Sequence, residues 1–134
     1  MAQAIATNMA QTHGVESHYR FDSAGLRPED ETKEEAVTAI MSLDMDPKSI
    51  EGRACKDLAD VIKERKWNLA LVMTGRMKGE VKRLTHPDIK VMTLMEFAGE
   101  SGDVADPVGG NDDDYLRVAR EIKRLLEKGW ENPP

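Results

Sequence analysis

Apolar positions along the chain follow two periods, and the switching between them predicts alternating helices and strands. Ala2, Ile5, Ala6 and Met9 recur at helical spacing, which predicts a helix from the first residues to a stop at Gly14. No capping side chain precedes that helix, and a free ammonium stands where the helix dipole favours an anion, so its start reads as cut. Between His18 and Ser23, Tyr19 and Phe21 alternate with Arg20 and Asp22, which predicts a strand ending at Ala24-Gly25. Thr32 and Glu35 stand at capping-box spacing before a second helix, whose face is Ala36, Val37, Ile40, Met41 and Leu43 and whose end is Asp46-Pro47. Leu58, Val61, Ile62 and Arg65 space a third helix. The unbroken apolar run Leu69 to Met73 then predicts a strand buried on both faces. Met77, Val81 and Leu84 mark a further helix before the His86-Pro87-Asp88 turn, and Val91 to Leu94 reads as a third strand. Tyr115, Val118, Ala119, Ile122, Leu125 and Leu126 make a long amphipathic helix, with Gly129 as its stop and Pro133 beyond. This order predicts an α/β fold in which crossover helices join parallel strands of a layered sheet.

Composition narrows the classes. A chain of 134 residues suits one domain spanning residues 1–134. With 40% hydrophobic and 33% charged residues it can both fold and stay soluble, and no apolar run nears the ~20 residues that cross a bilayer. Met1 to Met9 has no basic start and is broken by Gln3, Thr7 and Asn8, so no secretory signal is expected and the cytoplasm is the predicted compartment. The net charge of −6 argues against nucleic acid as a partner, because such binding rests on a basic surface. One cysteine, Cys55, excludes an intramolecular disulfide, a CxxC pair and a thiolate zinc cluster.

The segment Asp106-Pro107-Val108-Gly109-Gly110 holds an acid before a proline that keeps it extended, with two glycines behind. On spacing alone it reads as an ordinary turn into the last helix. Asn111 to Asp114 lacks the alternation, central glycine and distal glutamate of a calcium loop; an N-cap with acids in the first helical turn explains it. Arg53 and Lys56 could lower the pKa of Cys55, but Asp57 and Asp60 offset them, which leaves a quiet structural cysteine. His13, His18 and His86 show no metal spacing, no phosphate-binding glycine motif occurs, and Arg76 to Arg83 reads as a solvated helix face. Neither a metal nor a cofactor is expected.

Taken in order, five segments resemble the low-molecular-weight protein-tyrosine-phosphatase family over nearly the whole chain. Met1-Ala2-Gln3-Ala4-Ile5 is similar to the helix that follows the family's phosphate loop, and Asp22-Ser23-Ala24-Gly25 to the end of its second strand. Trp67-Asn68-Leu69-Ala70-Leu71-Val72-Met73 resembles its third strand, while Leu94-Met95-Glu96-Phe97-Ala98-Gly99 and Asp103 through Tyr115 are the nearest stretches. The resemblance implies a three-layer α/β fold, with a four-stranded parallel sheet flanked by helices. It also implies a cysteine, on a loop closed by an arginine six residues later, that attacks a phosphoester and forms a thiophosphate. Anion binding at that loop follows the physics of helix N-termini. By resemblance Asp106 is the acid that protonates the leaving oxygen, Pro107 shapes its loop, and Ser23 braces the phosphate loop.

Departures from the family pattern set further expectations. No strand and Cys-to-Arg loop precede the first helix, and six residues beyond Cys55 stands Val61 rather than arginine. The family's Gly-His-x-Ala-Arg stretch reads Glu51-Gly52-Arg53-Ala54-Cys55, without its histidine, and Val108 follows Pro107 where tyrosine-directed members often carry an aromatic residue. The two glycines are closer to the arginine-phosphatase branch. The expectation is therefore a single N-terminally incomplete domain with its first strand missing, inactive as written. If completed, it would act on a phosphorylated protein or a small phosphate ester. The missing strand would lie between those at Tyr19 and Leu69, leaving the chain marginal, self-associating or repacked. The alternative is a non-catalytic relative that binds a protein where the loop would be. A thiol-linked arsenate reductase is disfavoured by the single cysteine.

Overall fold

Residues 1–15, 17–25, 33–54 and 56–131 are described in a computed structural model. Along the chain they form α1 (Ala2–Thr12), α2 (Glu34–Ser42), α3 (Leu58–Glu64), β1 (Leu69–Val72), α4 (Gly75–Leu84), β2 (Lys90–Thr93), α5 (Leu94–Phe97) and α6 (Asp112–Glu131). β1 and β2 pair in parallel, with Leu69 opposite Lys90 and Val72 opposite Thr93. α4 makes the crossover between them, as parallel pairing requires. No described helix is long and apolar enough to cross a membrane.

Because side chains alternate along a strand, the sheet divides the interior in two. Leu71 and the adjoining Met73 contribute to a large core built from Ile5 and Met9 of α1, Ala36 and Ile40 of α2, Leu94 of α5, and Val118, Ile122 and Leu125 of α6. On the other face Val72 and Val91 meet Val81 of α4, with Leu58, Ala70 and Met77 packed around them. Helices on both faces of a small parallel sheet make the three-layer α/β arrangement that the resemblance implies.

Three sequence expectations are corrected. Residues 19–24 join no ladder among the described residues; in this segment Gly25 makes an isolated bridge, to Asp57. Tyr19 and Phe21 instead stack with each other and gather around Trp130 near the end of α6. A strand needs a neighbour to take its backbone bonds, and alternation alone cannot supply one. Of the four strands that the family carries, β1 and β2 form a parallel sheet among the described residues. The run from Leu69 is not buried on both faces: Leu69 is exposed, Ala70 and Leu71 are half-buried, and only Val72 within β1 is buried. Gly129 does not stop α6, which continues to Glu131. A Cβ at Gly129 would fall 2.2 Å from the Phe97 ring, so the missing side chain serves close helix packing. The capping-box residue Thr32 lies outside the described residues; α2 starts after Lys33.

α5 is an element that periodicity did not suggest. Thr93 accepts a bond from the Glu96 amide while the Glu96 carboxylate accepts from the Thr93 amide, so the chain turns into a helix directly at the end of β2. That turn starts the path toward the segment bearing Asp106.

Candidate active site

The Asp106 segment is anchored on both sides. Upstream, the Val104 amide donates to the Met73 carbonyl at 2.9 Å, just past the end of β1, and the Val104 side chain is buried in the large core. The Asp103 Oδ1 accepts from the Gly75 amide at 2.9 Å. Gly75 is the first residue of α4, where an unpaired amide and the positive end of the helix dipole favour a carboxylate. The hydroxyl of Thr74 meanwhile accepts from the Met77 amide, so two oxygens cap that helix end.

Downstream the chain is shaped by its own polar groups. Asp106 Oδ1 accepts from the Val108 amide at 3.0 Å, and the Gly110 amide donates to the Pro107 carbonyl at 2.8 Å. Gly109 has φ +86, a conformation that favours glycine. A Cβ on Gly110 would lie 2.6 Å from Asp114 Oδ2, so the second glycine is required by space. Asn111 and Asp114 then exchange side-chain bonds with each other's amides at 3.0 Å and open α6. These bonds realise the expected cap with acids in the first turn, Asp112 to Asp114. The turn expected on spacing is thus present, and it holds Asp106 exposed at the end of the sheet where β1 finishes.

Ser23 stands elsewhere, against the first turn of α1. Its hydroxyl donates to Gln3 Oε1, and its amide donates to Asp22 Oδ1, whose other oxygen pairs with Lys56 at 2.8 Å. Gln3 is a partner that the sequence alone did not suggest. Among the described residues no hydrogen bond joins Ser23 to Asp106 or Pro107. Burial lowers the pKa of the Met1 ammonium beside this turn, and Met1 gives α1 no side-chain cap. Pro107 is half-buried and Val108 is 60% exposed. Cys55 lies outside the described residues, and among the described residues no group of histidine, cysteine or acidic side chains could hold a metal ion.

Asp103 is the residue that sequence reasoning passed over. Its three-residue spacing from Asp106 was visible, but nothing in the spacing indicates that it reaches the amide of Gly75, 28 positions away.

Comparisons with known proteins bear on the family and the fold. The sequence profile described as low molecular weight phosphotyrosine protein phosphatase matches residues 1–131. A protein-arginine-phosphatase of Bacillus subtilis is 26% identical over 130 residues, covering 96% of this chain and 83% of that protein. Among solved structures, the low molecular weight protein tyrosine phosphatase from T. tengcongensis superposes with a TM-score of 0.79 at 26% identity, covering 97% of this chain and 87% of that one. A YwlE mutant from Bacillus subtilis gives 0.74 at 27% identity, over 96% of this chain and 84% of the other. With the profile matched almost from end to end and the acid-bearing loop set at the end of the sheet, the chain belongs to the low molecular weight phosphotyrosine protein phosphatase family.

Proposed function

We propose that this chain carries the proton-donor part of a phosphatase site, with Asp106 as general acid, and that alone it does not turn over substrate. The observation that carries the reading is the anchoring of the Asp106 loop: Val104 to Met73 and Asp103 to Gly75 tie an exposed carboxyl to the end of the sheet. Such an acid donates its proton to the departing oxygen or guanidine nitrogen as the phosphorus bond breaks. It then takes a proton from the water that attacks the thiophosphate, returning to its starting form. The nucleophile has to be a thiolate, and Cys55, the single cysteine of the 134 residues, has Val61 rather than arginine six residues on. Pro107 opens the turn that follows the acid, its carbonyl accepting from the Gly110 amide. Ser23, engaged by Gln3, is placed at the helix whose start would receive the phosphate loop.

As substrate class we infer phosphorylated proteins, with phosphoarginine ahead of phosphotyrosine. Val108 and the paired glycines offer no aromatic wall for a phenol ring, and the Bacillus subtilis relative is named for arginine phosphate.

The test joins a family strand and Cys-to-Arg loop ahead of Met1 and measures phosphatase kinetics. Activity is expected to appear, and Asp106→Asn to slow phosphoryl transfer by roughly 100-fold or more. The deficit should be largest for poor leaving groups and should shrink for nitrophenolate. Equal losses across leaving groups, or a larger loss from Asp103→Asn, would assign the acid elsewhere. The unextended chain should show no aryl phosphate hydrolysis, and turnover abolished by Cys55→Ser would overturn that part.

The alternative of a non-catalytic protein-binding relative draws support from β1, whose edge away from β2 has no ladder partner among the described residues. Such an edge can accept an added strand. Failure of the extended protein to gain activity, with strand peptides still binding, would favour it.

A further inference from the structure

The opposite end of the sheet carries a second surface. Because β1 and β2 are parallel, both begin there, with Leu69 beside Lys90. α4 runs back between them, so its last turn, with Lys82, Arg83 and Leu84, returns to the same end, and α3 enters it through Arg65 and Lys66. Residues 63–66 and 82–90, which lie at this end, hold six basic and two acidic side chains in a chain whose net charge is −6. Lys63, Lys66, Lys82, Arg83 and Lys90 are exposed, and among the described residues none reaches a carboxylate. Lys56, Arg117, Lys123, Arg124 and Lys128 all do so elsewhere in the fold. Set among these cations are two large apolar side chains, Leu69 at 36% and Leu84 at 58% exposure.

Helix dipoles explain only part of this concentration. Lys63, Lys82 and Arg83 stand in last turns, where cations are favoured, but Lys66 and Lys90 stand outside any helix. Arg65 is held over the Trp67 ring, 5.6 Å from its centroid, which fixes one charge at the entry to β1. We propose that this end of the sheet docks an acidic, leucine-bearing segment of a protein partner, away from the Asp106 loop. Glutamates or aspartates of that segment would meet Lys66, Lys82, Arg83 and Lys90, and its apolar side chains would cover Leu69 and Leu84. A lipid surface suits the site less well. The apolar face of α4, Met77 and Val81, is already packed on Val72 and Val91 and cannot insert. A long nucleic acid would run from this patch onto the acidic remainder of the chain.

The proposal does not depend on Asp106 and can be tested on the 134-residue chain. Fluorescence anisotropy with a labelled peptide of repeated Glu-Glu-Leu should report binding that weakens as salt rises from about 50 to about 300 mM. Reversing Lys66→Glu together with Arg83→Glu should weaken it by about tenfold or more, whereas Arg117→Glu together with Lys123→Glu should change it less than about twofold. Leu84→Ser should cost about threefold or more, and a Glu-Glu-Ser peptide should bind correspondingly more weakly. Circular dichroism melts unchanged in each variant would place the effects in the surface. Equal weakening by both charge reversals, indifference to Leu84→Ser, or binding to phosphatidylserine vesicles without binding to the peptide would overturn the proposal.

Discussion

The two faces of the β1–β2 sheet are packed very differently. One face looks onto a core where Ile5, Ile40, Leu94 and Leu125 are fully buried and α1, α2, α5 and α6 all take part. The other is closed by Val72, Val81 and Val91, with Leu58, Ala70 and Met77 only partly covered. Burial stabilises in proportion to the apolar area removed from water, so the first face supplies most of the cohesion and the second holds α4 more lightly. The Asp106 loop draws on both. Val104 is sunk in the large core, while Asp103 holds the first residue of α4, the helix that packs on the other face. The acid's position therefore depends on the thin layer as well as the thick one.

The comparison can be broken most directly by truncating one residue on each face. Leu125→Ala leaves a cavity in the large core and should cost about 2 to 5 kcal/mol, whereas Val81→Ala should cost about 1 to 2 kcal/mol. Urea denaturation of the two variants reads the difference. A Val81→Ala loss equal to that of Leu125→Ala would mean that the thin layer carries as much of the stability as the thick one.

A smaller effect is expected at the joint between the faces. Asp103→Ala removes the acceptor of the Gly75 amide, a bond at 2.9 Å at a helix start. Exchange of the Gly75 and Val104 amides should rise by about three- to tenfold, following the ~0.5 to 1.5 kcal/mol net worth of one hydrogen bond. The global denaturation midpoint should move less than for Val81→Ala. Unchanged exchange would show that Val104 alone seats the loop.

The smallest effect belongs to the surface of the thick face. Hydrogen bonds from Arg124, then Lys128, hold the Glu100 carboxyl at about 2, below its ordinary 4.5, and tie the turn after α5 to α6. Glu100 in turn raises the pKa of Arg124 further. A depressed acid stabilises the fold above its unfolded value, so this contribution is complete above pH 4.5 and is lost as pH falls toward about 2. Glu100→Gln should lower the Tm by about 2 to 4 °C near neutrality, and the difference from the parent protein should close across that window. Glu96 titrates in the same range, held at about 2 by Lys78 and then by the Thr93 amide, so residual acid sensitivity in the variant is expected from it. A difference that persists at the acid end would show that the side chain acts by packing.

How much was legible differs from element to element. α1, α2, α4 and α6 follow apolar spacing, because a helix makes its bonds within its own segment. The segment 19–24 alternates equally clearly and still forms no ladder among the described residues, since the signal shows which face is apolar and not whether a neighbour exists. Thr93 and Glu96 carried a capping-box spacing for α5, but the apolar run Val91 to Leu94 masked it as strand. Asp106 is singled out by resemblance alone, while Pro107 and the two glycines agree with the turn that forms beside it. Its support by Asp103, and the engagement of Ser23 by Gln3, were hidden because each joins residues 20 or more positions apart.

By itself, then, the sequence determined the helices α1, α2, α4 and α6, the parallel order implied by the alternation of elements, the family, and the lack of an arginine at the nucleophile's offset from Cys55. All of these rest on local spacing or on residue identity. Only the tertiary structure decided which apolar faces were covered, that Gly129 admits Phe97 instead of ending a helix, and that the acid's loop is fastened to both layers. Those outcomes depend on which distant groups meet, and a single strand, glycine or carboxylate has no definite role until its neighbours are in place.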